Sequence, residues 1–202
     1  MHSDILSKEQ QELFPLLQQF CGHFGLVGGT AIALHIGHRR SIDFDLFTHE
    51  SFDMQNVRSS ILKQWNIDHT FIQGQDELTV LIHGVKCTFY RFPYPILFSQ
   101  NVNGIISMPD LITLGAMKAF ALGKRAKWKD YVDLYYIFHT VPYLKLIEKT
   151  KKLFGNAFNE KLFRVQLSYV EDIDYSEEVE FMSTFEVAQE DIQTYLAEIS
   201  LT

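Results

Sequence analysis

Apolar side chains recur at near-helical spacing through the first twenty residues, with Leu6, Leu13, Leu16, Leu17 and Phe20 on one stripe. That spacing predicts an amphipathic helix over residues 5–20, kinked or restarted at Pro15. A short apolar run at 24–27 closes on Gly28-Gly29. The next residues, Thr30 to Ile36, have helical composition, with Thr30 placed to cap them. The expected order is strand, glycine turn, helix. Residues 41–48 alternate instead, putting Ile42, Phe44 and Leu46 on one face of a strand and Asp43 and Asp45 on the other. A helix over 53–65 and three further strands over 66–73, 77–83 and 86–92 follow, the last two joined by the turn at His83-Gly84. Pro93 and Pro95 end the sheet, and from Pro109 the pattern is helical: 109–121, 129–139, shorter pieces to 169, and a last helix over 187–199.

These elements specify an α+β protein. A mixed β-sheet lobe flanked by helices occupies residues 1–107, and a helical lobe with an acidic end occupies 108–202. At 202 residues the chain is long enough to bury a sizeable core. The longest stretch free of Asp, Glu, Lys and Arg, residues 13–38, carries several glycines, two glutamines and three histidines, so it makes a poor bilayer span. The first residues lack the basic patch and apolar block of an export signal. A cytoplasmic protein with no membrane partner is expected. Cys21 and Cys87 are far apart and flanked by apolar residues, as reduced core cysteines are.

The formal charge of −7, from 18 Lys and Arg against 25 Asp and Glu, argues at first against a polybasic binder of nucleic acid or membrane. The charge is divided, however. No Lys or Arg follows Arg164 and ten acids lie from Glu171 onward, so residues 1–170 carry +3 and the remainder −10. Lys118, Lys124, Arg125, Lys127 and Lys129 form a basic cluster of the kind an RNA or nucleotide partner needs. The acidic tail is expected as a solvated face, or as a shield if it lies across that cluster.

The chemistry concentrates at Asp43-Phe44-Asp45. Two carboxylates on one strand face repel each other and are costly to bury unless a cation joins them. Mg²⁺ meets that need, taking oxygen ligands and sharing its shell with water and substrate phosphates. Gly28-Gly29-Thr30 supplies the matching cradle: glycines let backbone N–H groups approach a phosphate, and the following helix N-terminus adds partial positive charge. Either part alone is commonplace, a tight turn or a solvated strand edge. The ordered set of strand, Gly-Gly-Thr, helix and Asp-x-Asp strand is not.

This set resembles the DNA polymerase beta-like nucleotidyltransferase superfamily. More narrowly, GGTAIALHIGHRRSIDFDL over 28–46, with Lys118-Ala-Phe-Ala-Leu and Lys127-Trp-Lys-Asp-Tyr-Val-Asp-Leu, is similar to the AbiEii/AbiGii toxin family; the match covers residues 24–138. The resemblance implies a nucleotidyltransferase-type sheet and transfer of a nucleotidyl group from a nucleoside triphosphate with Mg²⁺. It further implies an acceptor that is transfer RNA for some relatives, and a toxin role opposed by a separate antitoxin. A degenerate module that only binds nucleotide or a partner protein, and a nucleotidyltransferase acting on a small molecule, are the alternatives.

Within that resemblance Asp43 and Asp45 hold the metal, and Gly28, Gly29 and Thr30 hold the triphosphate. Arg39 and Arg40 either contact phosphate or form a solvated loop. Lys118 either snorkels from an apolar helix face or reaches the triphosphate. Asp130 either belongs to a helix start or acts as a catalytic or lysine-orienting carboxylate, while Asp133 is given a structural role. The superfamily's third carboxylate lies on a later strand, and here Lys86-Cys87-Thr88-Phe89-Tyr90 has no acid. His35 and His38 do not make a zinc site, and Tyr131, Tyr135, Tyr136 and Phe138 are expected in the core.

Overall fold

A computed structural model of the chain describes residues 1–202. The first helical stretch is two helices: α1 (Lys8–Glu12), opened by a capping box between Ser7 and Gln10, and α2 (Phe14–Phe20). Pro15 sits in the first turn of α2, where the N–H it lacks has no helical partner anyway, so the chain restarts there. Then come β1 (Gly25–Val27), α3 (Gly28–Ile36), β2 (Phe44–Thr48), α4 (Met54–Leu62), β3 (His69–Gln73), β4 (Glu77–Ile82) and β5 (Val85–Arg91). The five strands form one mixed sheet in the order β1-β2-β5-β4-β3. β2 and β5 run parallel, and every other neighbouring pair is antiparallel.

Alternation along the strands divides this sheet into two faces. Phe44, Leu46, Leu78, Val80, Cys87 and Phe89 are buried on one. There the Phe89 ring meets Phe20 and Phe24 edge-on at 4.9 and 5.4 Å. Asp45, Phe47, Lys86, Thr88 and Tyr90 point to the other face, which is only half-buried. Ile42 departs from the expected alternation. It precedes the strand, which begins at Phe44, and its side chain is 61% exposed. Cys21 likewise corrects its expectation: it follows the end of α2 and is exposed, whereas Cys87 is buried, and both are free thiols.

A short hairpin, β6 (Gln100–Val102) and β7 (Ile106–Met108), adds to the expected elements. Its signal is Asn103-Gly104, both with positive φ, in a three-residue connection whose Ile105 N–H donates to the Val102 carbonyl at 2.8 Å. The helical half comprises α5 (Leu111–Leu122), α6 (Trp128–Phe138), α7 (Tyr143–Phe154), α8 (Glu160–Ser168) and α9 (Gln189–Ser200). α5 and α6 both pack against α3, so one hydrophobic core runs from Ile5 to Leu196. No helix is long and apolar enough to cross a membrane.

Candidate active site

α3 begins immediately after β1, with Gly28 at φ +72°, a backbone setting that side-chain-bearing residues rarely adopt. A Cβ on Gly28 would collide with Asp45 Oδ2, and one on Gly29 would lie 2.5 Å from Arg39 Nη2. The two glycines therefore let the first turn of α3 close onto the carboxylate strand. Thr30 does not cap the helix. It is buried, its hydroxyl donates to the Asp43 carbonyl, and Ser41 Oγ donates to it at 2.9 Å. Thr30 thus pins the approach to β2, and its own backbone N–H remains among the unpaired donors of the first turn.

Asp43, Asp45, Lys118, Asp130 and Gly29 all line one polar pocket of about 130 Å³, whose walls include Arg39, Lys86, Arg125, Lys127 and Lys129. Burial first, and the neighbouring Asp43 second, push the Asp45 carboxyl up to about 6. A cation in the pocket would relieve both effects, so the donor set fits a hard divalent ion that completes its shell from outside the protein. No cluster of three or more His, Cys, Asp or Glu side chains converges anywhere to form a self-contained metal site.

Behind the pocket lies a buried ionic network centred on Asp133. Arg39 holds it with two bonds, Nε to Oδ1 at 2.8 Å and Nη2 to Oδ2 at 2.9 Å. Lys118 Nζ lies 2.9 Å from Oδ2, and His38 Nε2 donates to Oδ1 at 2.9 Å. Burial alone would raise the Asp133 carboxyl, but Arg39 and Lys118 outweigh it and hold the group well below the usual carboxylate range. Lys118 also meets Asp130 Oδ1 at 2.7 Å, and Arg125 Nε meets Asp130 Oδ2 at 3.0 Å. Burial works against the Lys118 charge, yet Asp130 and Asp133 together raise its pKa, so the ammonium stays charged at 7% exposure. Lys118 is a held cation facing the pocket rather than a snorkelling side chain.

The two arginines separate. Arg39 reaches the pocket wall, but its guanidinium is committed to Asp133 and, through Nη1, to the Arg40 carbonyl. That bidentate commitment makes it a structural counter-ion instead of a free phosphate fork. Arg40 is not brought to the pocket; its Nε pairs with Glu180 at 2.7 Å. The tail is not simply a solvated face either, because Glu177 lines the pocket and binds Lys127 and Lys129. Lys86 is the other residue missed, with Nζ 2.9 Å from Asp43 Oδ2. The alternation of Lys86, Thr88 and Tyr90 is a usable signal for it; nothing in the sequence signals Glu177 individually.

A second pocket, of about 310 Å³, adjoins the first and shares Asp45, Lys118 and Arg125 with it. Its character is opposite: Phe47, Tyr90, Phe92, Met117 and Phe120 supply an aromatic and apolar lining, and Lys124 at its rim sits 4.2 Å over the Phe120 ring.

No protein-family model matches the chain. A protein of Aquifex aeolicus (strain VF5), aq_aa25, described as uncharacterized, is 32% identical over 206 residues, covering 96% of this chain and 92% of that one. Three solved structures share the architecture. MenT4, a nucleotidyltransferase toxin of Mycobacterium tuberculosis H37Rv, aligns with a TM-score of 0.63 at 13% identity, over 95% of this chain and 81% of that one. A candidate nucleotidyltransferase from H. pylori aligns at 0.60 and 14% identity, over 96% and 92%. JHP933 from Helicobacter pylori aligns at 0.58 and 16% identity, over 97% and 92%. These likenesses identify the mixed sheet and its helices as the nucleotidyltransferase fold.

Proposed function

The chain belongs to the family of the Aquifex aeolicus protein aq_aa25 and has the nucleotidyltransferase fold, and on that footing we propose that it moves a nucleotidyl group from a nucleoside triphosphate to an acceptor. The observation that carries this reading is the junction at Asp45, with a cationic polar pocket on one side and an aromatic pocket on the other. A polyanion joined to a flat apolar base matches that pair of cavities.

In this reading the backbone N–H groups of Gly28, Gly29 and Thr30 take phosphate oxygens at the positive end of α3. Asp43 and Asp45 hold Mg²⁺, which when bound neutralises charge on the phosphate under attack. Lys118, fixed by two buried carboxylates, places a full positive charge where the transition state gathers negative charge. Arg125, 53% exposed, can turn from Asp130 to the substrate, while Asp130 positions both cations. An acceptor hydroxyl oxygen bonds to the α-phosphorus as the bond to the β-phosphate oxygen breaks, its proton passing to solvent and pyrophosphate leaving. The exposed cations Lys124 and Arg125 at the rim of the site suit an RNA acceptor, transfer RNA being the instance the AbiEii/AbiGii resemblance suggests. A toxin role with a cognate antitoxin draws its support from that resemblance and from the MenT4 likeness.

A second reading is favoured by Lys86, which occupies Asp43 from the strand where a third acid was expected. It makes the chain a nucleotide-binding module without transfer. Incubation with each labelled nucleoside triphosphate, Mg²⁺ and total RNA decides between them. Label entering RNA with the wild type and lost by about a hundredfold or more in Asp43→Ala supports transfer. Nucleotide binding without any label transfer, indifferent to Mg²⁺, supports the binding module.

A further inference from the structure

The segment between α8 and α9, residues 169–188, is without helix or extended strand, yet it is anchored on both sides of the polar pocket. On one side Asp174 exchanges backbone bonds with the start of α6: its N–H donates to the Ala126 carbonyl at 2.7 Å, and Trp128 N–H donates to its carbonyl at 3.0 Å. On the other side the segment meets the loop between α3 and β2. Arg40 N–H donates to the Glu180 carbonyl at 2.9 Å, Met182 N–H donates to the His38 carbonyl at 3.0 Å, and the Arg40 and Glu180 side chains pair. Buried Ile173 and partly buried Val179 and Phe181 fix these anchors to the core.

Between the anchors, Glu177 turns into the pocket. Lys127 Nζ donates to its Oε1, and Lys129 Nζ lies 3.3 Å from its Oε2. The Lys127 bond, reinforced by Lys129, holds the Glu177 carboxyl down to about 2, so it remains an anion across the physiological range. Its field also reaches Arg39, Lys86 and Arg125 on the other walls. A carboxylate seated between two ammonium groups has the charge and acceptor geometry of a phosphate edge. Glu178, one residue on, is exposed and makes no such pair.

We propose that Lys127 and Lys129 form a subsite for the polyphosphate end of the substrate, and that Glu177 is an internal stand-in which keeps the subsite closed until a polyphosphate displaces it. The proposal rests on the nucleotidyl-transfer reading above. The acidic segment then acts as a strap, held in register by its anchors while a single carboxylate competes with the incoming anion.

Calorimetric titration with inorganic tripolyphosphate, and separately with single-stranded RNA, at low salt tests this on wild type, Glu177→Gln and Glu178→Gln, with label transfer followed in parallel. Glu177→Gln should bind tripolyphosphate about three- to tenfold more tightly, and Glu178→Gln should stay at the wild-type affinity. The gain should vanish when Glu177→Gln is combined with Lys127→Gln and Lys129→Gln. Equal affinities in wild type and Glu177→Gln overturn the proposal even where transfer is observed, as does an equal gain from Glu178→Gln or a gain confined to single-stranded RNA. A gain specific to Glu177→Gln with no transfer by any variant supports the closed subsite and overturns the transfer reading instead.

Discussion

Lys86 Nζ stands 2.9 Å from Asp43 Oδ2, placing a cation from β5 against the first carboxylate of the Asp-x-Asp pair. β2 and β5 run parallel with Asp45 opposite Thr88, so Lys86 and Asp45 share the open face of the sheet. A divalent ion at Asp43 would therefore have to displace Lys86. Replacing it with methionine keeps the stem and removes the charge, so Lys86→Met should bind Mn²⁺ about three- to tenfold more tightly. Titration followed by electron paramagnetic resonance measures this, and an affinity equal to wild type would remove Lys86 as a competitor.

Asp133 neutralises two buried cations, Arg39 and Lys118, at once, whereas Asp130 has one buried partner, the Lys118 it shares with Asp133, and one half-exposed partner, Arg125. Asp133→Asn leaves Arg39 and Lys118 buried with less than their compensating charge. Loss of one partner from a buried pair typically costs about 3–5 kcal/mol, so the melting temperature should fall by about 10 °C. Asp130→Asn should cost less than half as much. Melting curves of the two variants side by side check the order, and equal losses would contradict it.

The strand–Gly-Gly–helix–Asp-x-Asp order is legible in the sequence because it is local: alternation and glycine chemistry act within a few residues, and the sheet lobe follows from the same patterns. The partners of the arginines are not. Arg39 finds Asp133 ninety-four residues away, and the same His-Arg-Arg run sends Arg40 to Glu180. No periodicity encodes either choice, because both depend on how α6 and the tail pack against the loop after α3. Lys86 is visible as a missing acid but not as a cation on Asp43, since its significance depends on β5 pairing with β2 in parallel. The β6–β7 hairpin carries its signal at Asn103-Gly104, but its strands are only three residues long, too short for alternation to mark them.

The raised Asp45 carboxyl makes stability depend on pH. Burial and Asp43 move it from 3.8 to about 6, so the native state binds this proton more tightly than the unfolded chain does. The resulting stability is fully present below about pH 4 and is lost as pH rises through about 6. Asp45→Asn, neutral at every pH, escapes that loss and should exceed wild type by about 3 kcal/mol at pH 7.5 while matching it near pH 4. Thermal melts at the two pH values give the answer. A variant no more stable than wild type at pH 7.5, or equally stabilised at both, would show that the carboxylate is not held under strain.

The aromatic pocket beside Asp45 should govern nucleotide binding separately from the phosphates. Met117 lines it on α5 and is only half-buried, so Met117→Trp fills the cavity without opening the core. Contact between a base and aromatic side chains is commonly worth about 1–3 kcal/mol. Blocking the pocket should therefore weaken binding of a nucleoside triphosphate by about tenfold. Inorganic tripolyphosphate, which has no base, should bind the variant as it binds wild type, because Lys118 and the first turn of α3 are untouched. Competition binding with both ligands separates the effects. Equal losses for the two would point to a disturbed phosphate site, and no loss for either would place the base elsewhere, for example along the open sheet face where Thr88, Tyr90 and Phe71 line a third cavity that also reaches Asp45.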